Sequence, residues 1–226
     1  MKKMMMFCLL MVLPLISCTN AREGFGSDAM LYCAANAETA QGEPAGIVYP
    51  LPDATMENLT DAILSVSLEE GDVYLDDTGK LQMDVKIYTY DQYDLVDIAL
   101  LQAGDILVTH AGEIEVIRVE RKGSGMIAIN GGLEAGGLDL TTGECGVYYV
   151  IGANDAKDWY EIGEATIRVS VDFRGYDQSD LELGEIIFYP GSFLVNEITN
   201  YDFTPYNTTI RVEAGQVVEL YRMYMP

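Results

Sequence analysis

From Asn58 to the end of the chain, apolar and polar residues tend to alternate with a period of two. Met83, Val85 and Ile87 are separated by Asp84 and Lys86, while Ile167, Val169, Val171 and Phe173 are separated by Arg168, Ser170 and Asp172. Ile210 and Val212 flank Arg211, and Ala62–Leu68 and Ile114–Val119 follow the same rule in part. Successive side chains of an extended chain point to opposite faces, so runs of this kind, rich in β-branched residues, predict half-buried strands. The inward positions they predict are Val85, Ile87, Ile106, Val108, Ile167, Val169, Ile210 and Val212. Val217–Tyr224 is apolar on both faces, as expected of an interior strand.

A glycine followed by an acid or amide and then an apolar run recurs at Gly71-Asp72, Gly104-Asp105, Gly112-Glu113, Gly163-Glu164, Gly184-Glu185 and Gly215-Gln216. Glycine supplies a turn position and the polar residue meets water as the next strand starts, so these pairs punctuate hairpins. Their irregular spacing is no repeat. Helical spacing is confined to Tyr93–Leu101, with an acidic start and Gly104 beyond its end, and to a turn or two over Ser192–Ile198. The pattern predicts an all-β fold, an antiparallel sandwich or barrel with one or two short helices. A single β domain over 58–226 is the preferred arrangement; two small β units fused near Asn154–Asp158 is the other.

The chain upstream is different. Met1-Lys2-Lys3 precedes an apolar run from Met4 to Leu15, then Leu15-Ile16-Ser17-Cys18 and polar Thr19-Asn20. As a helix, Met4–Ser17 would cover roughly 20 Å against the ~30 Å of a hydrocarbon core, which argues against a spanning anchor. A positive start and a short apolar run mark an export signal, residues 1–17, and Ile16-Ser17-Cys18 fits a small-x-small cleavage site poorly. The whole resembles the signal peptide and lipobox of bacterial lipoproteins. That resemblance implies a diacylglyceryl thioether on Cys18, cleavage just before it, and a protein anchored by lipid on the extracytoplasmic face of a cell membrane. Residues 18–57, rich in Ala, Gly, Glu and Asn and closing on Pro50-Leu51-Pro52, then read as a flexible acidic tether with an apolar stretch at Ala29–Ala37.

Charge narrows the partners. The chain holds 13 basic and 36 acidic residues; without Lys2 and Lys3 the balance falls from −23 to −25. Such a surface repels phosphate, which excludes nucleic acid, and it repels anionic headgroups, so lipid rather than electrostatics must hold the membrane. The hydrophobic share of 49% excludes general disorder. Of four cysteines, Cys8 leaves with the signal and Cys18 takes lipid. Cys33 and Cys145 are the pair from which a disulfide could form outside the cytoplasm, closing a loop of ~110 residues.

Chemistry is sparse. Ser124 lies in Lys122-Gly123-Ser124-Gly125, which reads as a hairpin turn, and no Gly-x-Ser-x-Gly elbow exists. The single histidine, His110, closes a strand-like run, and a Cys145–His110 dyad has no flanking motif to support it. Zinc spacing is lacking. The Asp72/Asp76/Asp77 and Asp91/Asp94/Asp97 clusters do not match a calcium loop, and Asp76-Asp77-Thr78-Gly79 reads as a β-turn. The glycine pairs in Asn130–Asp139 lack the Lys-Ser/Thr of a phosphate cradle and read as tight turns. No catalytic, cofactor or metal residue is therefore named.

Tyrosines recur at Tyr88, Tyr90, Tyr93, Tyr148, Tyr149, Tyr221 and Tyr224, either as cross-strand pairs or as a sugar-stacking surface, and Trp159 could serve as core or platform. Together with the lipobox and acidic tether, Gly71-Asp72-Val73-Tyr74, Ile129-Asn130-Gly131-Gly132-Leu133 and Thr204-Pro205-Tyr206-Asn207-Thr208 make the chain similar to uncharacterised small lipoproteins of gut-dwelling Gram-positive anaerobes. The expectation is a non-enzymatic surface binding or structural module with a protein or glycan partner and no cofactor. The alternative is an envelope glycoside hydrolase using paired carboxylates.

Overall fold

A computed structural model describes residues 46–52, 56, 59–143, 146–153, 156–178, 180, 182, 184–195 and 202–224. Cys18, Cys33 and Cys145 lie outside the described residues, as do the signal segment and most of the tether. In chain order the elements begin with β1 (Ile47–Val48), β2 (Ala62–Ser67), β3 (Val73–Leu75), β4 (Leu81–Thr89), β5 (Gln92–Asp94) and helix α1 (Leu95–Leu100). There follow β6 (Ile106–Thr109), β7 (Gly112–Glu115), β8 (Val119–Arg121), β9 (Ile127–Ile129), β10 (Leu138–Thr142), β11 (Tyr148–Ala153) and β12 (Ala156–Lys157). The chain closes with β13 (Tyr160–Asp177), β14 (Ile186–Phe188), helix α2 (Pro190–Leu194), β15 (Thr208–Glu213) and β16 (Gln216–Arg222).

The expected all-β fold is what forms, and its principal feature is a closed barrel. Five strands pair in the ring β2-β4-β13-β16-β15 and back to β2, with β3 and β14 added on the outside. Every ring contact is antiparallel except β13 with β16. That order, with a helix between the third and fourth ring strands, is the connectivity of the OB barrel, a five-stranded Greek key. Alternation explains the inside: Leu64 and Val66 of β2, Met83, Val85 and Ile87 of β4, Ile167 and Val169 of β13, and Ile210 and Val212 of β15 are all buried. β16 is the interior strand expected, paired on both edges, with Val217 and Leu220 in the core and Val218, Glu219 and Tyr221 half-buried beside them.

Helix α2 stoppers the barrel. Its start has Pro190 in the first turn, where no backbone donor is needed, and its Phe193 ring lies 5.9 Å from Phe173, 5.2 Å from Phe188 and 6.4 Å from Phe203. The helix thus begins before the predicted Ser192; residues 196–198 lie outside the described residues. Beside it, Arg222 is buried against Asp177, Nε donating to Oδ1 at 3.0 Å and Nη2 to Oδ2, with its guanidinium 4.4 Å over the Phe203 ring.

Two departures from simple alternation occur in β13, whose 18 residues pair first with β4 and then with β16. Its register shifts between Val169 and Arg174, so Val171, in phase with Ile167 and Val169 in the sequence, is 85% exposed while Phe173 is 1% exposed. Gly163, expected at a hairpin, lies within the strand at a second register shift, with φ +155°; a Cβ there would stand 3.1 Å from the Met56 sulfur. A strand shared between two neighbours must bend, and bulges supply the bend.

The segment between β4 and β13 builds a second β unit. β12-β11-β10-β9-β8 form one sheet with β5 on β11, and β1-β6-β7 form another. Val48, Tyr93, Ile98, Leu101, Leu107, Val116, Ile127, Ile129, Leu140 and Ile151 make a core separate from that of the barrel. Ile47–Val48, within the stretch read as tether, is thus a strand, parallel to β6, with Val48 in this core. Phase is reversed in β6: Leu107 and Thr109 point inward, and the predicted Ile106 and Val108 are only half-buried. Leu107 joins Val48 and Val116 in the core, and that contact, not the hydrophobicity of its neighbours, sets the face.

Candidate functional site at the neck between the two units

The chain leaves the barrel after Thr89 and returns at Tyr160, and these two residues are register partners across β4 and β13. Tyr90 and Asp91 therefore run outward beside Trp159 and Tyr160 running inward. This neck gathers residues that are far apart in sequence.

Its inner part is built on Asp91, 3% exposed. One carboxylate oxygen accepts from the backbone N–H of His110 at 2.8 Å and lies 3.0 Å from His110 Nδ1; the other accepts from the Tyr160 hydroxyl at 3.1 Å. A carboxylate partner places a proton on the imidazole Nδ1. The imidazole stacks on the Tyr160 ring with centroids 4.0 Å apart and planes 15° apart. Tyr93, expected at the start of the helix, instead lies in β5, fully buried, and donates to the Val108 carbonyl at 2.9 Å. Burial, reinforced by the Asp91 charge, pushes its hydroxyl well above the ordinary tyrosine range.

The outer part is aromatic. Trp159 meets Tyr90 edge to face, centroids 4.7 Å apart at 78°, and meets Tyr206 in the same way at 6.2 Å and 83°. Lys157 Nζ lies 4.4 Å from the Tyr90 ring centroid and 5.5 Å from that of Trp159, and it donates to the Tyr90 hydroxyl at 3.3 Å. The Tyr90 and Tyr148 hydroxyls are 3.4 Å apart. Tyr206 is 54% exposed; Trp159, Tyr90, Tyr160 and Lys157 are half-buried.

The other candidate residues disperse. Ser124 sits in the β8–β9 hairpin, closed by Lys122 N–H to the Met126 carbonyl. Asp91, Asp94 and Asp97 have separate surroundings: Asp94 caps α1 by accepting from Val96 N–H, and Asp97 sits in its first turn, its carboxyl raised by burial and then by Asp94. Asp76 forms the predicted turn, accepting from Thr78 and Lys80 N–H, the Thr78 hydroxyl and the Gln82 amide. These bonds, that from Lys80 foremost, hold its carboxyl below the usual range. Among the described residues, no three His, Cys, Asp or Glu side chains are grouped to hold a metal.

The Asn130–Asp139 loop is a structural knot. Asn130 accepts from Ile117 and Arg118 N–H and donates to the Glu115 carbonyl, while Gly132 lies so close to Asp139 that a Cβ would be 2.6 Å from Oδ1. Of the tyrosines, Tyr90 and Tyr148 reach the neck, whereas Tyr176 and Tyr221 face each other across paired strands at 6.4 Å.

Asp91, Tyr160, Lys157 and Tyr206 were not singled out by sequence as members of one site. The available signal was the adjacency of Tyr90-Asp91 and Trp159-Tyr160 at the two ends of the inserted segment. Chemically, Asp91 orients His110 as in a catalytic triad, but no hydroxyl of the described residues donates to Nε2, and the Tyr160 hydroxyl is directed to Asp91. The inner part therefore holds the neck together, and the outer part offers ring faces rimmed by polar tips. Compared with known families, curated proteins and solved structures, the chain matches none of them.

Proposed function

We propose that this protein is a lipid-anchored extracytoplasmic lipoprotein, held to the membrane through Cys18, whose β domain is a non-enzymatic binding module with the neck as its binding face. The observation that carries the binding assignment is the gathering of Tyr90, Trp159 and Tyr206 from three chain segments, with Tyr206 54% exposed. Tyr189 is as exposed, but Tyr206 stands against a second ring, that of Trp159, and a cluster of partly exposed rings, unlike a lone one, marks a binding surface. The Leu15–Cys18 lipobox supports the anchor.

The hydrolase alternative is less supported. It calls for two carboxyl groups facing one substrate, one of them desolvated. Asp91 is held by the neck and Asp105 by the Gln102 N–H at 2.8 Å; Asp139, whose Oδ1 is buried without a hydrogen-bond partner among the described residues, has the Leu133 N–H at 3.4 Å and Lys122 Nζ at 3.9 Å beside it.

Two measurements test the proposal on the full chain. Cys18→Ala should move the protein out of the detergent phase or leave it unprocessed; unchanged partitioning and processing would defeat the anchor. The one tryptophan of the chain lies in the neck, so its emission reports binding there. Adding wall, polysaccharide or protein fractions of a cell envelope should shift that emission with at least one fraction. Silence with all three would defeat the binding face.

A further inference from the structure

Resting on that binding reading, we infer that the neck takes uncharged pyranose glycans, stacked on Tyr206 and Trp159 and hydrogen-bonded by the polar tips around Tyr90. A pyranose presents a flat C–H face edged by hydroxyls. It needs an aromatic face with donors and acceptors at its margin, held in place before binding. The neck supplies both. Tyr206 and Tyr90 stand nearly perpendicular to the Trp159 indole, at 83° and 78°, so the three rings make a corner rather than a flat stack. At its margin the Tyr90 hydroxyl and Lys157 Nζ are linked at 3.3 Å, and the buried Tyr148 holds the Tyr90 hydroxyl from behind at 3.4 Å. They are pinned before any ligand arrives, which lowers the ordering cost of weak polyhydroxyl recognition.

The setting selects among partners. A protein interface of ordinary strength buries ~800 Å² per partner in all, more than three rings provide, whereas one or two sugar units need no more than a few rings. Charge then selects within glycans: at −25 without Lys2 and Lys3, the surface disfavours anionic polymers at low salt. The layer beneath is rigid. Asp91 binds His110 and Tyr160 just behind the rings, so the platform is mounted on both β units at once.

The test uses Trp159 emission with the full-length protein in detergent, titrated with neutral oligosaccharides (cello-, manno- and chito-hexaose) and with polygalacturonate as the anionic control. The expected result is a saturable shift with at least one neutral glycan and a weaker one with polygalacturonate. Tyr206→Ala should weaken binding about tenfold, the loss expected for one stacked ring. Tyr189→Ala, equally exposed at 54% but outside the neck, should leave it unchanged. A shift with envelope protein but with no glycan would overturn the inference and leave the binding module standing. Calorimetric glycan binding without an emission change, or full binding by Tyr206→Ala, would place the site elsewhere and overturn it. No shift with any glycan and any envelope fraction would remove both readings.

Discussion

The barrel and the inserted unit solve the same problem by different means. The barrel closes five strands on themselves and fills the interior with the alternate residues of each, ending in an aromatic plug of Phe173, Phe188, Phe193 and Phe203. The inserted unit has mostly strands of two to six residues and a smaller apolar core, and it holds its turns with polar side chains: the buried Asp91, Asp105 and Asp139, and the half-buried Asn130 at the knot. Arg121, on the surface, does the same for a helix end, donating to the Ile98, Ala99 and Leu101 carbonyls and so closing the C-terminus of α1. Where strands are long, apolar area makes most of the core, with the Arg222–Asp177 pair and the Asp76 turn as polar additions. Where they are short, each turn needs its own hydrogen bonds, and the proposed binding face lies where the two units meet.

The largest expected effect is in the barrel. Phe173 is 1% exposed and packs against two of the plug rings, so Phe173→Ala should cost about 3–5 kcal/mol and lower the global denaturation midpoint. A loss below about 1 kcal/mol would show that the plug is loosely packed and that the contrast with the inserted unit is overstated.

Next comes the polar pin. Asp91→Ala strands the His110 N–H and the Tyr160 hydroxyl, a loss of about 2–3 kcal/mol by the cost of unsatisfied buried groups. Amide exchange should quicken around the β6–β7 hairpin while β2 and β15 stay protected, and Trp159 emission should move. Uniform loss of protection in both units would mean that they open as one.

What the sequence revealed divides along the same line. Alternation located β4, β15 and the first half of β13, because a barrel wall with one wet face imposes a period of two. It failed at Val171, where the strand changes partners, and at Ile106 and Val108, where a four-residue strand fits either phase and only the contact of Leu107 with Val48 decides. Tyr93 looked like the first turn of a helix because helix and strand share its apolar neighbours. The neck was illegible for another reason: Tyr90, Trp159 and Tyr206 meet only once the ring of strands has closed. Local pattern contains no signal for that closure.

A smaller effect is expected at the knot. Asn130 has a positive φ of 54° and makes three side-chain bonds to residues 115–118. Asn130→Gly keeps the backbone comfortable and removes only those bonds, at about 1–2 kcal/mol, whereas Asn130→Ala adds backbone strain and should cost more. Equal stability of the glycine variant and the parent, measured by urea denaturation, would show that the loop is held by its backbone alone.

The smallest effects separate the two units by sign under acid. Asp76, in the turn between β3 and β4 of the barrel sheet, has its carboxyl depressed by the hydrogen bonds from Lys80, Thr78 and Gln82. A folded pKa below the unfolded value of about 3.9 means a contribution present above that pH and lost as pH falls towards the folded value. The gap in urea midpoint between the parent and Asp76→Asn should therefore hold from pH 7 to about 5 and narrow towards pH 3. Asp97, on α1 of the inserted unit, is raised by burial and by Asp94, so its ionised form costs stability at neutral pH and protonation relieves that cost. Asp97→Asn should be slightly more stable than the parent at pH 7, and the advantage should vanish as pH falls below about 4. Both gaps close under acid, from opposite sides. Gaps of the same sign would show that these two carboxylates do not differ in environment as their hydrogen bonds and burial require.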